Sequence, residues 1–197
     1  MNAVILAGGQ NKRIGLKKAF LEIDGKPIIE KMIEVLRPLF SEIIVIAKDR
    51  KEFAHLEDVT VAEDAFEGHS SLIGVYSGLV HSNEKYNFFF ACDMPFLNID
   101  LIRYVMGLHK GYDVIIPKPD GKYEALHAIY SKACLKAFKH NLKNDEFKII
   151  NAFKDLKVRE VASEEINRFD SHKISFFNIN TQADYEKAQR IKRRESC

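Results

Sequence analysis

Glycines and cations follow a short apolar segment near the start of the chain, in a pattern suited to binding a polyphosphate. Residues 4–6 are Val-Ile-Leu and predict a strand, and Gly8 and Gly9 follow after one alanine. Because glycine lacks a Cβ, it reaches positive φ and brings backbone N–H groups close to an anion. Positive charge comes from the side chains of Lys12, Arg13, Lys17 and Lys18. The alternative is a glycine turn among surface lysines.

The glycine spacing excludes two common phosphate-binding motifs. A Walker A loop requires G-x-x-x-x-G-K-[ST], whereas one residue too many separates Gly9 from Gly15, and Leu16 stands where the lysine is needed. A dinucleotide-binding turn requires G-x-G-x-x-G, which residues 8–15 do not contain. The loop therefore indicates neither a P-loop ATPase nor an NAD-dependent oxidoreductase.

Asp93 is a second candidate for phosphate chemistry, because it directly follows the apolar segment 88–92. We interpret that segment as a central strand, which places Asp93 at the same edge of the sheet as the glycine loop. Mg²⁺ prefers oxygen ligands and often takes only one or two carboxylates together with substrate phosphates. The sequence therefore predicts Asp93 as a Mg²⁺ ligand. The alternative is that Asp93 caps the turn it forms with Met94 and Pro95.

Composition limits the classes of protein to consider. The 197 residues, 46% of them hydrophobic, predict a single domain over residues 1–197. The net charge of +2 does not indicate a nucleic-acid partner, and no run is long and apolar enough to indicate a membrane span or an export signal. Cys92, Cys134 and Cys197 lack metal-ligand spacing and fit a reducing compartment. We expect a soluble cytoplasmic protein.

Strand-like and helix-like patterns alternate along the chain, which predicts an α/β sheet with helices on both faces. The predicted strands are 3–6, 42–47, 59–62, 88–92, 114–117, 125–130, 158–161 and 176–179. The first predicted helix starts at Pro27 and ends before Pro38. Four more cover 71–80, 99–108, 132–141 and 149–156, and a last helix follows Thr181. Ser70 or Ser71 is the predicted N-cap of the second helix, and Thr181 with Asp184 forms a capping box for the last.

Five motifs occur in an order that resembles the molybdenum cofactor guanylyltransferase family. They are Leu6-Ala7-Gly8-Gly9 with Arg13, Gly15 and Lys18; the pair Gly74 and Gly78; Cys92-Asp93-Met94-Pro95-Phe96; Leu126-His127-Ala128-Ile129-Tyr130; and Phe177-Asn178-Ile179-Asn180-Thr181. The first motif is shared with sugar-phosphate and cytidylyl transferases, and the later ones narrow the choice. The resemblance spans nearly the whole chain. It implies a three-layer, Rossmann-like nucleotidyltransferase fold with a mostly parallel central sheet.

The resemblance also implies roles for single residues. It assigns GTP binding to Leu6, Ala7, Gly8, Gly9, Lys18, Asp64 and Asp93. In this assignment Lys18 neutralises phosphates, Asp64 lies in the guanosine pocket, and Asp93 binds Mg²⁺. Arg13 joins Lys18 and Asp93 in catalysis. Asn178 and Asn180 face the metal or the pterin substrate.

The residue types leave alternatives open at several of these positions. Lys18 could be a surface lysine, with Lys17 competing for the phosphate. Asp64 could cap a turn. Asn178 needs a hydrogen-bond partner, which could be ligand or backbone. His127 lies in an apolar strand, where a core histidine with satisfied hydrogen bonds is more common than a catalyst.

The chain departs from the family pattern at three places. Ser70-Ser71-Leu72-Ile73-Gly74 replaces G-P-L-x-G, Glu124-Ala125-Leu126-His127 replaces E-P-L-H, and Ile46 stands where an asparagine is often found. These changes weaken the prediction that the nucleotide base is guanine, but they leave the predicted phosphate chemistry unchanged.

The activity implied by the resemblance is transfer of GMP from GTP to molybdopterin that carries molybdenum, with release of pyrophosphate. The implied cofactor is Mg²⁺, and the implied partners are GTP, molybdopterin and proteins that deliver molybdopterin. We expect a monomer with no nucleic-acid or membrane partner. Rival hypotheses are a molybdopterin cytidylyltransferase, a sugar-phosphate nucleotidyltransferase, and a nucleotide-binding module without catalysis.

Overall fold

A mostly parallel sheet forms the centre of the computed structural model, which describes residues 1–8 and 18–195. The strands within these residues are β1 (Asn2–Leu6), β2 (Glu22–Ile23), β3 (Lys26–Pro27), β4 (Ile43–Ala47), β5 (Thr60–Glu63), β6 (Tyr86–Ala91), β7 (Val114–Lys118), β8 (His127–Ser131) and β9 (Val158–Ala162). The central sheet has the order β5-β4-β1-β6-β8-β7-β9. β8 runs antiparallel to its two neighbours, and the other adjacent pairs are parallel. β2 and β3 form a separate hairpin.

Helices cover both faces of this sheet and give three layers. They are α1 (Ile28–Leu36), α2 (Ser71–His81), α3 (Ile99–Gly107), α4 (Cys134–Lys143), α5 (Ser163–Asn167) and α6 (Gln182–Glu195). Side chains alternate across the sheet, so Phe88 and Phe90 of β6 join the core beneath α1 and α3, whereas Phe89 joins the core beneath α2 and α4. The predicted three-layer α/β fold is confirmed. Among the described residues, no helix combines the length and the hydropathy needed to span a membrane.

Side-chain caps confirm the predicted starts of two helices. At α2, the Ser70 side chain accepts a hydrogen bond from the backbone N–H of Ile73 at 3.2 Å. Before α6, Asp184 accepts from the Thr181 N–H at 2.9 Å, and the Thr181 hydroxyl oxygen accepts from the Asp184 N–H at 3.2 Å. These reciprocal bonds satisfy backbone donors that have no partner within the helix.

The prediction of a strand at 176–179 is wrong. A 3₁₀ turn over Ile174–Phe176 occupies its start, and residues 177–180 join no sheet. The Asp170 carboxylate accepts hydrogen bonds from the backbone N–H groups of Ile174 and Ser175, at 2.9 and 2.8 Å. These local bonds satisfy the backbone in place of a neighbouring strand, although the alternation of apolar and polar residues resembles that of a strand.

Smaller differences separate the predicted and the observed boundaries of other helices. Pro27 is the N-cap of α1 rather than its first helical residue, and the segment predicted as helix 149–156 forms a shorter 3₁₀ helix over Ile149–Phe153. The short helix α5 was not predicted. Its start is held by Glu165, which accepts a hydrogen bond from the Ala162 N–H at 2.9 Å.

Two glycines let α2 pack directly on the central strands. A Cβ built on Gly74 would lie 3.1 Å from a methyl carbon of Leu6. A Cβ on Gly78 would lie 2.6 Å both from the Phe89 ring and from a methyl carbon of Val4. These distances are shorter than van der Waals contact, so the close approach of α2 to β1 and β6 depends on the missing side chain, most strongly at Gly78.

We expect Gly78→Ala to lower the free energy of unfolding by about 1–3 kcal/mol, because the added methyl forces β1 and β6 away from α2. Gly107→Ala in α3 is the matched control, since a Cβ at that position would have no neighbouring atom within 4 Å. Urea denaturation of both variants measures the effect. Equal stability of the two variants would contradict the proposed packing constraint.

His127 lies in the core without a hydrogen-bond partner for its ring among the described residues. It is fully buried, and both ring nitrogens lack a partner there. The rings of Phe88, Phe90 and Phe176 surround it at centroid distances of 5.3, 5.4 and 5.2 Å. The core location is confirmed, whereas the expected satisfaction by hydrogen bonds is not observed. Burial lowers the pKa of His127 to about 4, opposed by the negative charge of Asp170.

This burial predicts an acid-dependent loss of stability. The unfolded chain protonates His127 near its ordinary pKa of 6.5, whereas the folded chain resists protonation down to about pH 4. The unfolded state therefore binds more protons in this window, and the free energy of unfolding falls by up to about 3 kcal/mol as pH drops through it.

We expect His127→Leu to flatten the loss of stability between pH 6.5 and 4, the window set by the ordinary and folded pKa of His127. Urea denaturation at several pH values measures it. The same substitution at the exposed His172 is the control. An unchanged pH slope in the His127 variant would show that the acid dependence has another source.

Candidate active site

The carboxyl ends of β1 and β6 bring the two predicted phosphate-binding segments together. Leu6 ends β1, and its carbonyl accepts a hydrogen bond from the Cys92 N–H at 3.2 Å. Asp93 is the next residue, so it lies at the same edge of the sheet as Ala7 and Gly8. The predicted juxtaposition of the glycine loop and Asp93 is therefore observed for the part of the loop that the structure describes.

Lys18 connects this edge with a loop near the end of the chain. Its Nζ donates to Asp93 Oδ2 at 2.7 Å and to Asn180 Oδ1 at 2.6 Å. The Lys18 and Asp93 side chains are only 17% and 18% exposed, so water screens the ion pair weakly. The two contacts occupy two of the three N–H donors of the ammonium group, and a third is available to an oxygen of a ligand.

Three residues of the predicted site lie outside the described residues. They are Gly9, Arg13 and Lys17, and their roles stay predictions. Among the cations predicted to bind phosphate, Lys18 therefore has a position that can be described. Its contact with Asp93 argues against the alternative that it is only a surface lysine.

One oxygen of Asp93 has no protein partner in the part of the chain that is described. Oδ1 is buried and makes no hydrogen bond there, whereas Oδ2 contacts Lys18. No backbone N–H of the described residues donates to the Asp93 carboxylate. The alternative role of Asp93 as a cap of the turn with Met94 and Pro95 is therefore not observed among them. A buried, unpartnered carboxylate oxygen is costly, and a bound cation removes that cost.

The donor set fits a Mg²⁺ ion that takes most of its ligands from a substrate. Within residues 1–8 and 18–195, no group of three or more His, Cys, Asp or Glu side chains could enclose a metal ion. Mg²⁺ is commonly held by one or two carboxylates plus phosphate oxygens and water. Asp93 Oδ1 would supply the protein ligand of such a site.

Glu124 is a second carboxylate near Asp93, which sequence reasoning did not include in the site. Its segment is held against the end of β6, because the Ala91 N–H donates to the Leu126 carbonyl at 3.1 Å and the His127 N–H to the Glu124 carbonyl at 3.0 Å. Burial raises the pKa of Glu124, and the negative charge of Asp93 raises it further. In the sequence, the only signal is an acidic residue shortly before Leu126-His127, and spacing alone does not show that it lies near Asp93.

Cys92 is adjacent to the site but is not suited to act as a nucleophile. Burial, and then the negative charge of Asp93, raise the pKa of the Cys92 thiol to about 12. The thiol is therefore protonated at neutral pH, and the thiolate is the reactive form.

The two asparagines predicted to face metal or pterin have different surroundings. Their loop is anchored by the Ile179 N–H, which donates to the Asp93 carbonyl at 2.9 Å. Asn180 contacts the Lys18 ammonium, as described above. The Asn178 side-chain N–H group donates to the Phe176 carbonyl at 3.1 Å and so stabilises the loop itself. The structure thus brings Asn180 into contact with the Lys18 and Asp93 pair, and shows a backbone partner for Asn178.

Asp64 lies at a different part of the same edge, directly after β5. It borders a cavity of about 410 Å³, which is lined by Lys48, Glu63, Asp64, Ala65, Phe66, Glu67 and Gly68. Burial raises the pKa of Asp64, and the Ser77 hydroxyl, which can donate either to Asp64 Oδ1 at 3.3 Å or to the Ile73 carbonyl at 2.7 Å, partly offsets this. Because β5 is separated from β6 by β4 and β1, this pocket and the Asp93 group can contact different parts of one elongated ligand.

Known proteins share both sequence and fold with this chain. The sequence profile of the MobA-like NTP transferase domain matches residues 3–157. The probable molybdenum cofactor guanylyltransferase of Natranaerobius thermophilus is 37% identical over 195 residues, which cover 96% of this chain and 95% of that protein. The molybdenum cofactor guanylyltransferase of Desulfosudis oleivorans is 30% identical over 191 residues, which cover 96% and 94%.

Solved structures agree with these relationships. Molybdopterin-guanine dinucleotide biosynthesis protein A from Archaeoglobus fulgidus superposes with a TM-score of 0.86 at 29% identity, covering 98% of this chain and all of that one. The 4-diphosphocytidyl-2C-methyl-D-erythritol synthase of Anaerococcus prevotii, at 17% identity and a TM-score of 0.72 over 98% and 95%, shares the fold alone. With a domain match over most of its length and relatives aligned nearly end to end, the chain belongs to the molybdenum cofactor guanylyltransferase family of MobA-like NTP transferases.

Proposed function

We propose that this chain transfers GMP from GTP to the terminal phosphate of molybdopterin that carries molybdenum, and releases pyrophosphate. Membership of the guanylyltransferase family supports the activity. The observation that carries the site assignment is the contact of Lys18 with Asp93 at 2.7 Å, beside an Asp93 oxygen that has no described protein partner. This arrangement offers a positive and a negative group to a phosphate and its cation.

The reaction needs charge neutralisation and alignment rather than a strong base. The acceptor phosphate oxygen is already ionised and attacks the α-phosphorus of GTP. A new bond forms between this oxygen and the α-phosphorus, while the bond from the α-phosphorus to the bridging oxygen of the β-phosphate breaks. Pyrophosphate leaves with the electron pair. The chain's contribution is therefore to hold two anions in line and to offset their charge.

Lys18 and the end of β1 carry this role among the described residues. The third N–H of the Lys18 ammonium donates to a phosphate oxygen, and Asp93 and Asn180 keep the ammonium in place. Gly8 has no side chain between its backbone and an approaching phosphate, although a Cβ there would make only an ordinary contact, 4.0 Å from the backbone nitrogen of Lys48. Arg13 stays a predicted further cation of this group.

Mg²⁺ is the cofactor that we propose for this site. When bound, it supplies positive charge to the phosphates and to the pyrophosphate leaving group. Asp93 Oδ1 would hold it, and the charge of Glu124 would favour its binding from nearby. We further propose that the chain acts as a monomer in the cytoplasm, on GTP and on molybdopterin received from a delivering protein.

We expect Asp93→Asn to lower kcat by at least about a hundredfold, because the amide keeps the shape of the side chain but loses the charge that binds the cation and orients Lys18. Pyrophosphate release measures the rate, and thermal unfolding checks the fold. Asp145→Asn, on the exposed turn after α4, is the control and should keep full activity. Near-normal activity of Asp93→Asn would refute the assigned role.

We expect the purified protein, given molybdopterin, molybdate and Mg²⁺, to release pyrophosphate from GTP in preference to CTP, ATP and UTP. The measurement compares kcat/KM for the four triphosphates, with a sample lacking molybdopterin as the control. Preference for CTP would identify a cytidylyltransferase, and turnover only with a sugar phosphate would identify the other rival enzyme. Absence of Mg²⁺-dependent release with every acceptor would indicate a binding module.

A further inference from the structure

The pocket that contains Asp64 has a positive side as well as a negative one. Lys48 directly follows β4, and Asp64 directly follows β5. These strands pair in parallel with Ala47 opposite Glu63, so Lys48 and Asp64 come next to each other at the sheet edge. Both line the cavity of about 410 Å³. The pocket therefore presents a pure hydrogen-bond donor and a pure acceptor to the same ligand.

Lys48 is not neutralised by a carboxylate of the described chain. Its Nζ lies 3.5 Å from Nε2 of His69, and it forms no ion pair within residues 1–8 and 18–195. Burial raises the pKa of Asp64, and electrostatic interaction with His69, His81 and Lys48 lowers it, which shows that Lys48 lies close enough to act on this carboxylate. The ammonium of Lys48 thus retains N–H donors that can point into the pocket.

Asp64 also keeps capacity for a ligand. The Ser77 hydroxyl has one proton, and its oxygen lies 2.7 Å from the Ile73 carbonyl but 3.3 Å from Asp64 Oδ1. The proton is therefore better placed for the Ile73 carbonyl, and the Ala65 N–H donates to the same hydroxyl at 2.9 Å. Ser77 thus leaves most of the acceptor capacity of Asp64 unused.

The position of Lys48 also agrees with the departure of the sequence at Ile46. Ile46 is 2% exposed and packs in the core on the side of α2, so it offers no polar group to a ligand. Residues two apart in a strand lie on the same side of the sheet, and Lys48 is the next position on that side. Lys48 therefore offers a side-chain donor on this side of the pocket, where Ile46 offers none.

Starting from the place in the guanosine pocket that the family resemblance implies for Asp64, we propose that Lys48 selects guanine by donating a hydrogen bond to its O6, beside Asp64 at the N1–H and the 2-amino group. This inference rests on the proposed function, in that it takes GTP as the nucleotide. Guanine is the common base that presents two adjacent N–H donors beside a carbonyl oxygen, which matches a carboxylate next to an ammonium group. The carbonyl O6 is an acceptor that lysine commonly recognises.

The same pair of side chains disfavours the other bases. In the orientation of guanine, adenine would present its 6-amino group, and cytosine its 4-amino group, to the ammonium of Lys48, and each would turn an unprotonated ring nitrogen toward Asp64. A donor would then face a donor, which leaves both unsatisfied. Uracil has a carbonyl oxygen for Lys48 but lacks the amino group that would complete the contact with Asp64.

Equilibrium binding of GTP and 6-thio-GTP tests the role of Lys48. Sulfur is a weak acceptor, so 6-thio-GTP weakens the contact at position 6 and keeps the N1–H and the 2-amino group. Calorimetry of the full chain with Mg²⁺ and without acceptor gives Kd for both nucleotides. We expect the unmodified chain to bind GTP several-fold more tightly than 6-thio-GTP. Lys48→Met should weaken GTP binding about tenfold, the effect of one hydrogen bond to a charged group, and bring the ratio of the two Kd values near one.

Lys51→Met is the matched control, because Lys51 is an exposed lysine three residues further along the chain. It should leave both Kd values and their ratio unchanged. If Lys48→Met weakens both nucleotides equally, Lys48 acts on the phosphates through its charge, and the contact with O6 is refuted. If Lys48→Met changes neither value, Lys48 does not contact the nucleotide.

Separate readouts distinguish failure of this inference from failure of the proposed function. The Kd ratio depends on base recognition alone, whereas pyrophosphate release with molybdopterin depends on the transfer reaction. A ratio that depends on Lys48, without transfer to molybdopterin, overturns the proposed acceptor and supports the role of Lys48. Normal transfer from GTP with a Kd ratio that Lys48→Met does not change overturns the role of Lys48 and supports the proposed function.

Discussion

The parallel pairing of β1 with β6 is the interaction on which the candidate site depends. It aligns the glycine-rich segment after Leu6 with Asp93 after β6, and the hydrogen bond from Cys92 to Leu6 continues the ladder to the edge. Parallel strands present their carboxyl ends at one edge, where open α/β sheets bind ligands. A shift of this register by one residue would displace the phosphate loop from the carboxylate and move the side chains of the shifted strand to the opposite face of the sheet.

Packing around these two strands preserves the register. Gly78 lets α2 lie against Val4 and Phe89, which belong to neighbouring strands, so the helix and both strands fit as one unit. On the other face, the stacked rings of Phe88 and Phe90 enclose His127 at the start of β8. This imidazole has no hydrogen-bond partner among the described residues, so aromatic contacts surround it instead.

Two pairs of oppositely charged side chains divide the carboxyl edge of the central sheet into two functional parts. Lys18, between Asp93 and Asn180, forms the part suited to phosphates and their cation, with Glu124 adding negative charge nearby. Lys48 and Asp64 form the part suited to a base with adjacent donors and acceptor. The strand order places β4 and β5 on the far side of β1 from β6, so a nucleotide can extend across the glycine loop from one part to the other.

The fold class, the strand that precedes Asp93, and the caps at Ser70 and Thr181 could be predicted from sequence, because hydrophobic periodicity and capping are local properties. The five motifs also predicted the family, and the comparisons with known proteins confirm it. The strand predicted at 176–179 was wrong, since its polar and apolar alternation does not reveal that Asp170 satisfies the backbone in place of a neighbouring strand.

Tertiary structure decided the contacts between distant residues. Lys18 and Asn180 are separated by 162 positions, and spacing along the chain could not show that one donates to the other. Glu124 beside Asp93, and Lys48 beside Asp64, were likewise not predictable, because each pair is brought together by the pairing of strands. Residue types determined which chemistry was available to this chain, whereas the order and register of the strands decided which groups meet, since side-chain interactions act over a few ångströms in space whatever their separation in sequence.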